Sequence, residues 1–269
     1  MGILSAAVAA AATAGLERAA EKLPKENREP FERTNHRGEP VTLLEGPGAV
    51  LGALAGVIAS RGNSKVKAAA VVAGAVSGAV GAYDDLRGTT QAKGFRGHLT
   101  ALKRGEVTSG AIKILGVGAA GLAAAALLPR KSRGVKAVAG VVADGALIAG
   151  TANLTNLLDL RPGRALKAVT ALNAPLAVVN GPAGAVVGAA AASAPSDLGE
   201  RAMLGDCGAN GLGAITGTAL AAALPRPLKT LALAVVVGLN LASEKISFTK
   251  VIAETPALDK IDQWGRRPR

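Results

Sequence analysis

The chain has 269 residues, 49% of them hydrophobic and 2% aromatic, with one cysteine and a formal net charge of +12. A lone cysteine excludes an internal disulfide and a Cys-based zinc site. So few aromatic rings argue against a nucleic-acid platform that stacks bases, so the positive charge suits anionic lipid or a phosphate-rich substrate.

The apolar residues come in blocks separated by charged loops, the layout of a polytopic membrane protein. The expected fold class is all-α: a transmembrane helix bundle of about nine spans over residues 1–243, followed by a cytoplasmic tail over 244–269. The blocks are rich in Ala, Gly and Val. Small-xxx-small pairs at Gly52/Gly56, Gly74/Gly78 and Gly184/Gly188 predict close helix packing.

Gly2 to Leu16 is apolar but has no Lys/Arg before it, which predicts a first span with its N-terminus outside rather than a signal peptide. Loop 18–45 carries Arg33-Thr34-Asn35-His36-Arg37-Gly38. Span two is Ala49 to Ser60. Span three is Val66 to Ala82 and ends on Tyr83-Asp84-Asp85-Leu86-Arg87. Loop 84–107 holds Lys93-Gly94-Phe95-Arg96-Gly97-His98.

Span four, Thr108 to Leu128, has Lys113 near its start. Its Gly116-x-Gly118-x-x-Gly121 matches a dinucleotide fingerprint, but it lies inside an apolar span with no preceding strand and reads as helix packing. Span five, Val135 to Thr151, contains Asp144, expected to pair with Lys113 or with a polar group such as Asn173, or to be protonated. Loop 153–165 follows with Asn153-Leu154-Thr155-Asn156-Leu157-Leu158-Asp159. Spans six (Ala165 to Val179) and seven (Ala183 to Ala194) form a hairpin around Asn180-Gly181-Pro182. Loop 195–207 ends in Leu204-Gly205-Asp206-Cys207-Gly208, ahead of spans eight (Ala209 to Leu224) and nine (Leu228 to Ala242).

Loops after the odd spans carry most of the 31 Lys and Arg residues, so the positive-inside bias places them, and the C-terminus, in the cytoplasm. Every polar motif above lies on that side. Asp84, Asp85, Asp159 and Asp206 are acids at helix ends on this one face. Three of them can converge on a Mg²⁺ ion, which takes few carboxylates and completes its shell with substrate phosphates. Asn153 and Asn156 lie three apart on one helical face and can offer amides to phosphate or sugar. Lys93 and Arg96 can neutralise diphosphate. His36 and His98 are too few and too far apart for a His-based metal site.

Tyr83-Asp84-Asp85, Lys93-Gly94-Phe95, Asn153-x-x-Asn156-x-x-Asp159 and Leu204-Gly205-Asp206-Cys207-Gly208-x-x-x-Leu212-Gly213 occur in this order, each after its expected span. The ordered set resembles the polyprenyl-phosphate N-acetylhexosamine-1-phosphate transferases, the family that includes phospho-N-acetylmuramoyl-pentapeptide transferase. The resemblance implies a membrane enzyme that moves a sugar 1-phosphate from a nucleotide sugar, by expectation a UDP-sugar, to a polyprenyl phosphate in cell-envelope glycan synthesis. It implies Mg²⁺ as cofactor. Asp84 and Asp85 would be catalytic, Asp206 and Asp85 would hold the metal, and Lys93, Asn153, Asn156 and Asp159 would bind substrate. The implied partners are the lipid, the nucleotide sugar and the membrane, without nucleic acid and with a homodimer left open. The chain departs from the family at Pro162, which stands where a second acid follows the Asn-rich stretch, and it lacks the tenth span and the late His-containing loop. The alternative reading is a non-catalytic membrane protein of the same fold that binds lipid phosphate or a partner in envelope synthesis.

Overall fold

The computed structural model describes residues 1–88, 104–105 and 108–268. Among these the chain forms twelve α-helices and one two-stranded hairpin, an all-α bundle as expected. The helices are α1 (Gly2–Glu21), α2 (Lys25–Arg28), α3 (Glu45–Ala59), α4 (Ser64–Arg87), α5 (Ser109–Leu127), α6 (Val135–Leu158), α7 (Arg164–Asn173), α8 (Gly181–Asp197), α9 (Gly205–Ala223), α10 (Arg226–Ser243), α11 (Phe248–Glu254) and α12 (Pro256–Gln263).

The bundle is built around α9. Its sequence is almost entirely small residues, and nearly every one of them is buried. A helix that is narrow on all sides lets neighbours approach from all sides, where dispersion contacts rather than large side chains hold the packing. Helices α4 and α6 run along it, with α3, α5, α7 and α8 completing the ring. One apolar cluster joins α9 to α3, α7 and α8 through Val57, Val169, Val186, Leu212 and Ile215. A second joins it to α4, α5, α6 and α10 through Ala73, Val117, Ile148, Ala214 and Val236.

The chain runs up and down the bundle in strict alternation. At one end meet the C-terminal ends of α1 and α8, where Ser193 Oγ donates to Glu17 Oε1, and the ends of α4 and α6 with the start of α9. At the other end Ser5 Oγ donates to the carbonyl oxygens of Gly56 and Gly181, and the Gly2 amide donates to Val178 O. The described parts of loops 18–45, 84–107, 153–165 and 195–207 lie at the first end, referred to below as the motif end.

Five helices, α1, α4, α5, α6 and α10, are long and apolar enough to cross a membrane. Span six is the largest departure from the sequence expectation. Its helix, α7, has 10 residues, and a 3₁₀ turn over Ala174–Leu176 ends it at Pro175, which has no N–H to donate. Ten residues rise only about 15 Å, half a hydrocarbon core.

Loop 18–45 is ordered by a hairpin of β1 (Glu32–Thr34) and β2 (Pro40–Thr42), antiparallel with Arg33 opposite Val41. Asn35 Oδ1 accepts from the amides of Arg37 and Glu39 and closes the turn. Thr42 then bridges to Ala202, which ties this loop to the one preceding α9. The tail folds back on the same end. Buried Arg164 holds buried Asp262 through Nε–Oδ1 at 2.8 Å and Nη2–Oδ2 at 3.1 Å, and Arg267 pairs with Glu39.

Candidate functional site

Close approach of α4 to α9 makes the site. A Cβ at Gly81 would collide with the carbonyl of Asp206, so only glycine lets the end of α4 settle against the start of α9. That contact sets both acids that follow. Asp85 accepts the backbone amides of Asp206 and Cys207, each at 2.9 Å, one on each carboxylate oxygen. It therefore caps the open N-terminus of α9 from a different helix, where four amides otherwise lack partners. Arg33 Nη2 donates to the Asp85 carbonyl from β1.

Asp84 turns the other way, toward α5. Lys113 Nζ lies 2.7 Å from Asp84 Oδ2 and 2.6 Å from Asp206 Oδ2, so one ammonium sits between two carboxylates. Thr108 caps α5 by accepting from the Ala111 amide, which starts that helix one turn before Lys113. Asn156, near the end of α6, donates from Nδ2 to Asp206 Oδ1 at 2.6 Å. Both oxygens of Asp206 are thus held, by Lys113 on one side and Asn156 on the other. Asp159 caps α6 and is buried. Burial pushes its carboxyl well above the ordinary range, the charges of Asp197 and Asp206 add to the effect, and a Gly205 backbone hydrogen bond opposes it.

These groups line one cavity of about 560 Å³, whose walls include Arg33, Asp84, Asp85, Lys113, Asn156, Asp159 and Asp206. A smaller one of 150 Å³ adjoins it, shares Thr34, Asp159, Leu160 and Met203 with it, and adds His36, Arg161 and Pro162. Burial and the charge of Arg161 lower the His36 pKa. A third cavity of 540 Å³ shares Gly110, Lys113 and Asn156 with the first and runs between α5, α6 and α10; its exposed surface is mainly apolar, from Ile114, Val117, Leu157 and Leu241, with Asn153, Asn210, Asn240 and Glu244 also in its wall.

The chain matches no model of a known protein family and no curated protein.

Five of the seven residues singled out in the sequence, Asp84, Asp85, Asn156, Asp159 and Asp206, meet around the main cavity. Asn153 does not join them. Its Nδ2 donates to Asn240 Oδ1 at 2.6 Å and links α6 to α10 on the wall of the apolar groove. Lys93 lies outside the described residues. Among those described, no group of three or more His, Cys, Asp or Glu side chains is gathered as a metal site.

Sequence reasoning assigned Lys113 no place in this site. A lysine one turn inside an apolar span is costly unless an acid meets it, and that was the signal available. The expected partner, Asp144, is taken elsewhere: Arg130 Nη2 lies 2.8 Å and Lys229 Nζ 3.0 Å from its two oxygens, in the half of the bundle away from the motif end. Asn173 is not a partner of Asp144 either: its Nδ2 donates to Thr216 Oγ1 and Val169 O, and its buried Oδ1 accepts no hydrogen bond among the described residues.

Proposed function

We propose that this chain is a membrane phosphoglycosyltransferase that moves a sugar 1-phosphate from a nucleotide sugar, a UDP-sugar by resemblance, to a polyprenyl phosphate in envelope glycan synthesis. One observation carries the reading: the acid-lined cavity and the apolar groove share Lys113 and Asn156. That arrangement suits an amphiphile whose chain lies along α5, α6 and α10 while its phosphate meets Lys113. A soluble donor would enter the polar cavity from the open side, with its nucleoside toward the smaller cavity at His36, Arg161 and Pro162.

In this reading the chain crosses the membrane nine times with the N-terminus outside, and the motif end and tail face the cytoplasm. Span six then crosses as α7 continued by the 3₁₀ turn over Ala174–Leu176 and the residues up to Asn180, with Leu166, Val169 and Asn173 buried in the bundle. The reaction transfers the sugar-bearing phosphorus from the nucleotide phosphate to the lipid phosphate oxygen and releases the nucleoside monophosphate. Such chemistry needs positioning and charge neutralisation more than covalent help from the protein.

Asp84 and Asp206 fit a Mg²⁺ ion, because both already hold a cation, the Lys113 ammonium, between them. Mg²⁺ takes one or two carboxylates and fills its shell with water and phosphate oxygens, so two acids are enough. When bound it would neutralise phosphate charge. Asp85 is a poor third ligand, since both of its oxygens accept backbone amides. Its role here is to set the position of Asp206. Lys113 would then pass from the acids to the incoming phosphate, and Asn156 would hold the Asp206 carboxylate in place.

The test uses the full chain purified with Mg²⁺, undecaprenyl phosphate and a panel of labelled nucleotide sugars. Release of nucleoside monophosphate that falls by about 10²-fold or more in Asp84→Asn and in Asp206→Asn is the expected result. The second reading, a non-catalytic relative that binds lipid phosphate, is favoured by Lys113 filling the space between the acids. Lipid-phosphate binding without turnover on any donor would establish it and overturn the first.

A further inference from the structure

A second polar cleft opens at the motif end, away from Asp84 and Lys113. It has a volume of 480 Å³ and lies between the C-terminal part of α1, the start of α3 and the end of α8. Four carboxylates stand in its wall, Glu17, Glu21, Glu32 and Glu45, and two of them have unusual surroundings. Glu45 is 2% exposed; Ser196 Oγ donates to its Oε2 at 3.2 Å, and its Oε1 has no hydrogen-bond partner. Glu17 is half-buried and accepts from Ser193 Oγ at 2.6 Å.

Three guanidiniums, Arg18, Arg28 and Arg201, line the same cleft, and among the described residues none of them forms an ion pair with a carboxylate. Arg28 Nε is buried and unpartnered. A cleft whose walls carry both signs without pairing them leaves a buried acceptor and a buried donor unsatisfied, which is costly unless a ligand supplies the missing partners. Such a ligand must bring an N–H donor to Glu45 and an anion to the arginines.

We infer that this cleft holds a phosphoethanolamine headgroup, with the primary ammonium at Glu45 and Glu17 and the phosphodiester at Arg18, Arg28 and Arg201. The source is a membrane lipid. Helix α1 is long and apolar enough to cross a membrane, and its Ile3, Leu4 and Leu16 side chains face outward, so acyl chains can lie along it below the cleft. Choline lipids have the phosphate, but their quaternary ammonium has no N–H for Glu45 Oε1. Glycerol lipids have the phosphate and no cation. The site is independent of the transferase reading, because it shares no wall residue with the cavity at Lys113.

The experiment reconstitutes the full chain in nanodiscs containing equal parts of phosphatidylethanolamine, phosphatidylcholine and phosphatidylglycerol. Lipid that stays bound after transfer to detergent is then quantified by native mass spectrometry. Retention of the ethanolamine lipid about tenfold above the other two, lost in Glu45→Gln and in the Arg28→Gln/Arg201→Gln pair, is the expected result. Since Glu45 is buried, the arginine pair carries the test should Glu45→Gln fail to fold. Equal retention of ethanolamine and glycerol lipids would overturn the inference, as it would assign the cleft to a phosphate alone. Retention unchanged in the arginine pair would overturn it too. Soluble glycerophosphoethanolamine added in excess should displace the lipid; if it binds more tightly than the lipid does, the membrane source is wrong.

Discussion

Lys113 holds the site's charges together at the level of single residues. Without its ammonium, Asp84 and Asp206 face each other across the gap it now fills. If the proposed transfer is this chain's reaction, Lys113→Met is expected to lower it by about 10²-fold, read as kcat/KM for nucleoside monophosphate release. Asp85 should behave differently from Asp84. Asparagine at Asp85 offers one acceptor oxygen to two amides, so Asp85→Asn is expected to destabilise the protein by about 1–2 kcal/mol, seen as a lower Tm in detergent. Asp84→Asn should lower the proposed turnover by about 10²-fold or more with a smaller change in Tm. Asp197 supplies a pH test. Burial raises its carboxyl from 3.8 to about 6, against a hydrogen bond from the Gly163 amide and the charge of Lys167, and its Oδ2 has no partner. Because the folded state keeps the proton longer than the unfolded one, the stability is fully present below 3.8 and is lost as pH rises through about 6. Thermal unfolding between those two pH values should show that loss, on the order of 3 kcal/mol, and Asp197→Asn should flatten the slope in part, since buried Asp159 is raised as well.

Between elements, two contacts decide whether the motif end keeps its shape. Gly81 lets α4 meet α9, and a leucine there would push α4 off the Asp206 carbonyl. Gly81→Leu is expected to cost about 1–3 kcal/mol and to separate Asp84 from Lys113, so that Tm and turnover fall together. The other contact is the Arg164–Asp262 pair that binds the tail to the start of α7. Burial alone would raise the Asp262 pKa, but the Arg164 hydrogen bonds and charge override it and hold the carboxyl below its usual value. Arg164→Ala should cost on the order of 2 kcal/mol, less than an isolated buried pair, because Arg266 still lies 2.9 Å from Asp262. Limited proteolysis should then cut after Ser243 faster than in the wild type.

For the whole molecule, the proposed nine-pass arrangement predicts which surfaces each side of the membrane can reach. Cys207 is the one cysteine and is buried, so introduced cysteines report cleanly. A cysteine at Arg87 should be labelled from the cytoplasm, and one at Lys131 from outside. Labelling of position 87 from outside would overturn both the topology and the placement of the donor site.

Much of this was legible in the chain itself. The lengths of the apolar runs, the punctuation by Pro and Gly and the bias in Lys and Arg are local properties, and they located the helices and brought Asp84, Asn156, Asp159 and Asp206 to one end. The facing of each helix was not legible. In α4, α6 and α9, Gly and Ala occur on every side, so no apolar stripe says which residues turn inward. That is why Asp85 turned out to cap α9, Asn153 to face Asn240, Asp144 to pair with Arg130 and Lys229, and Lys113 to sit between two acids. Those choices depend on how closely glycine lets neighbouring backbones approach, and only the packed tertiary structure sets that distance.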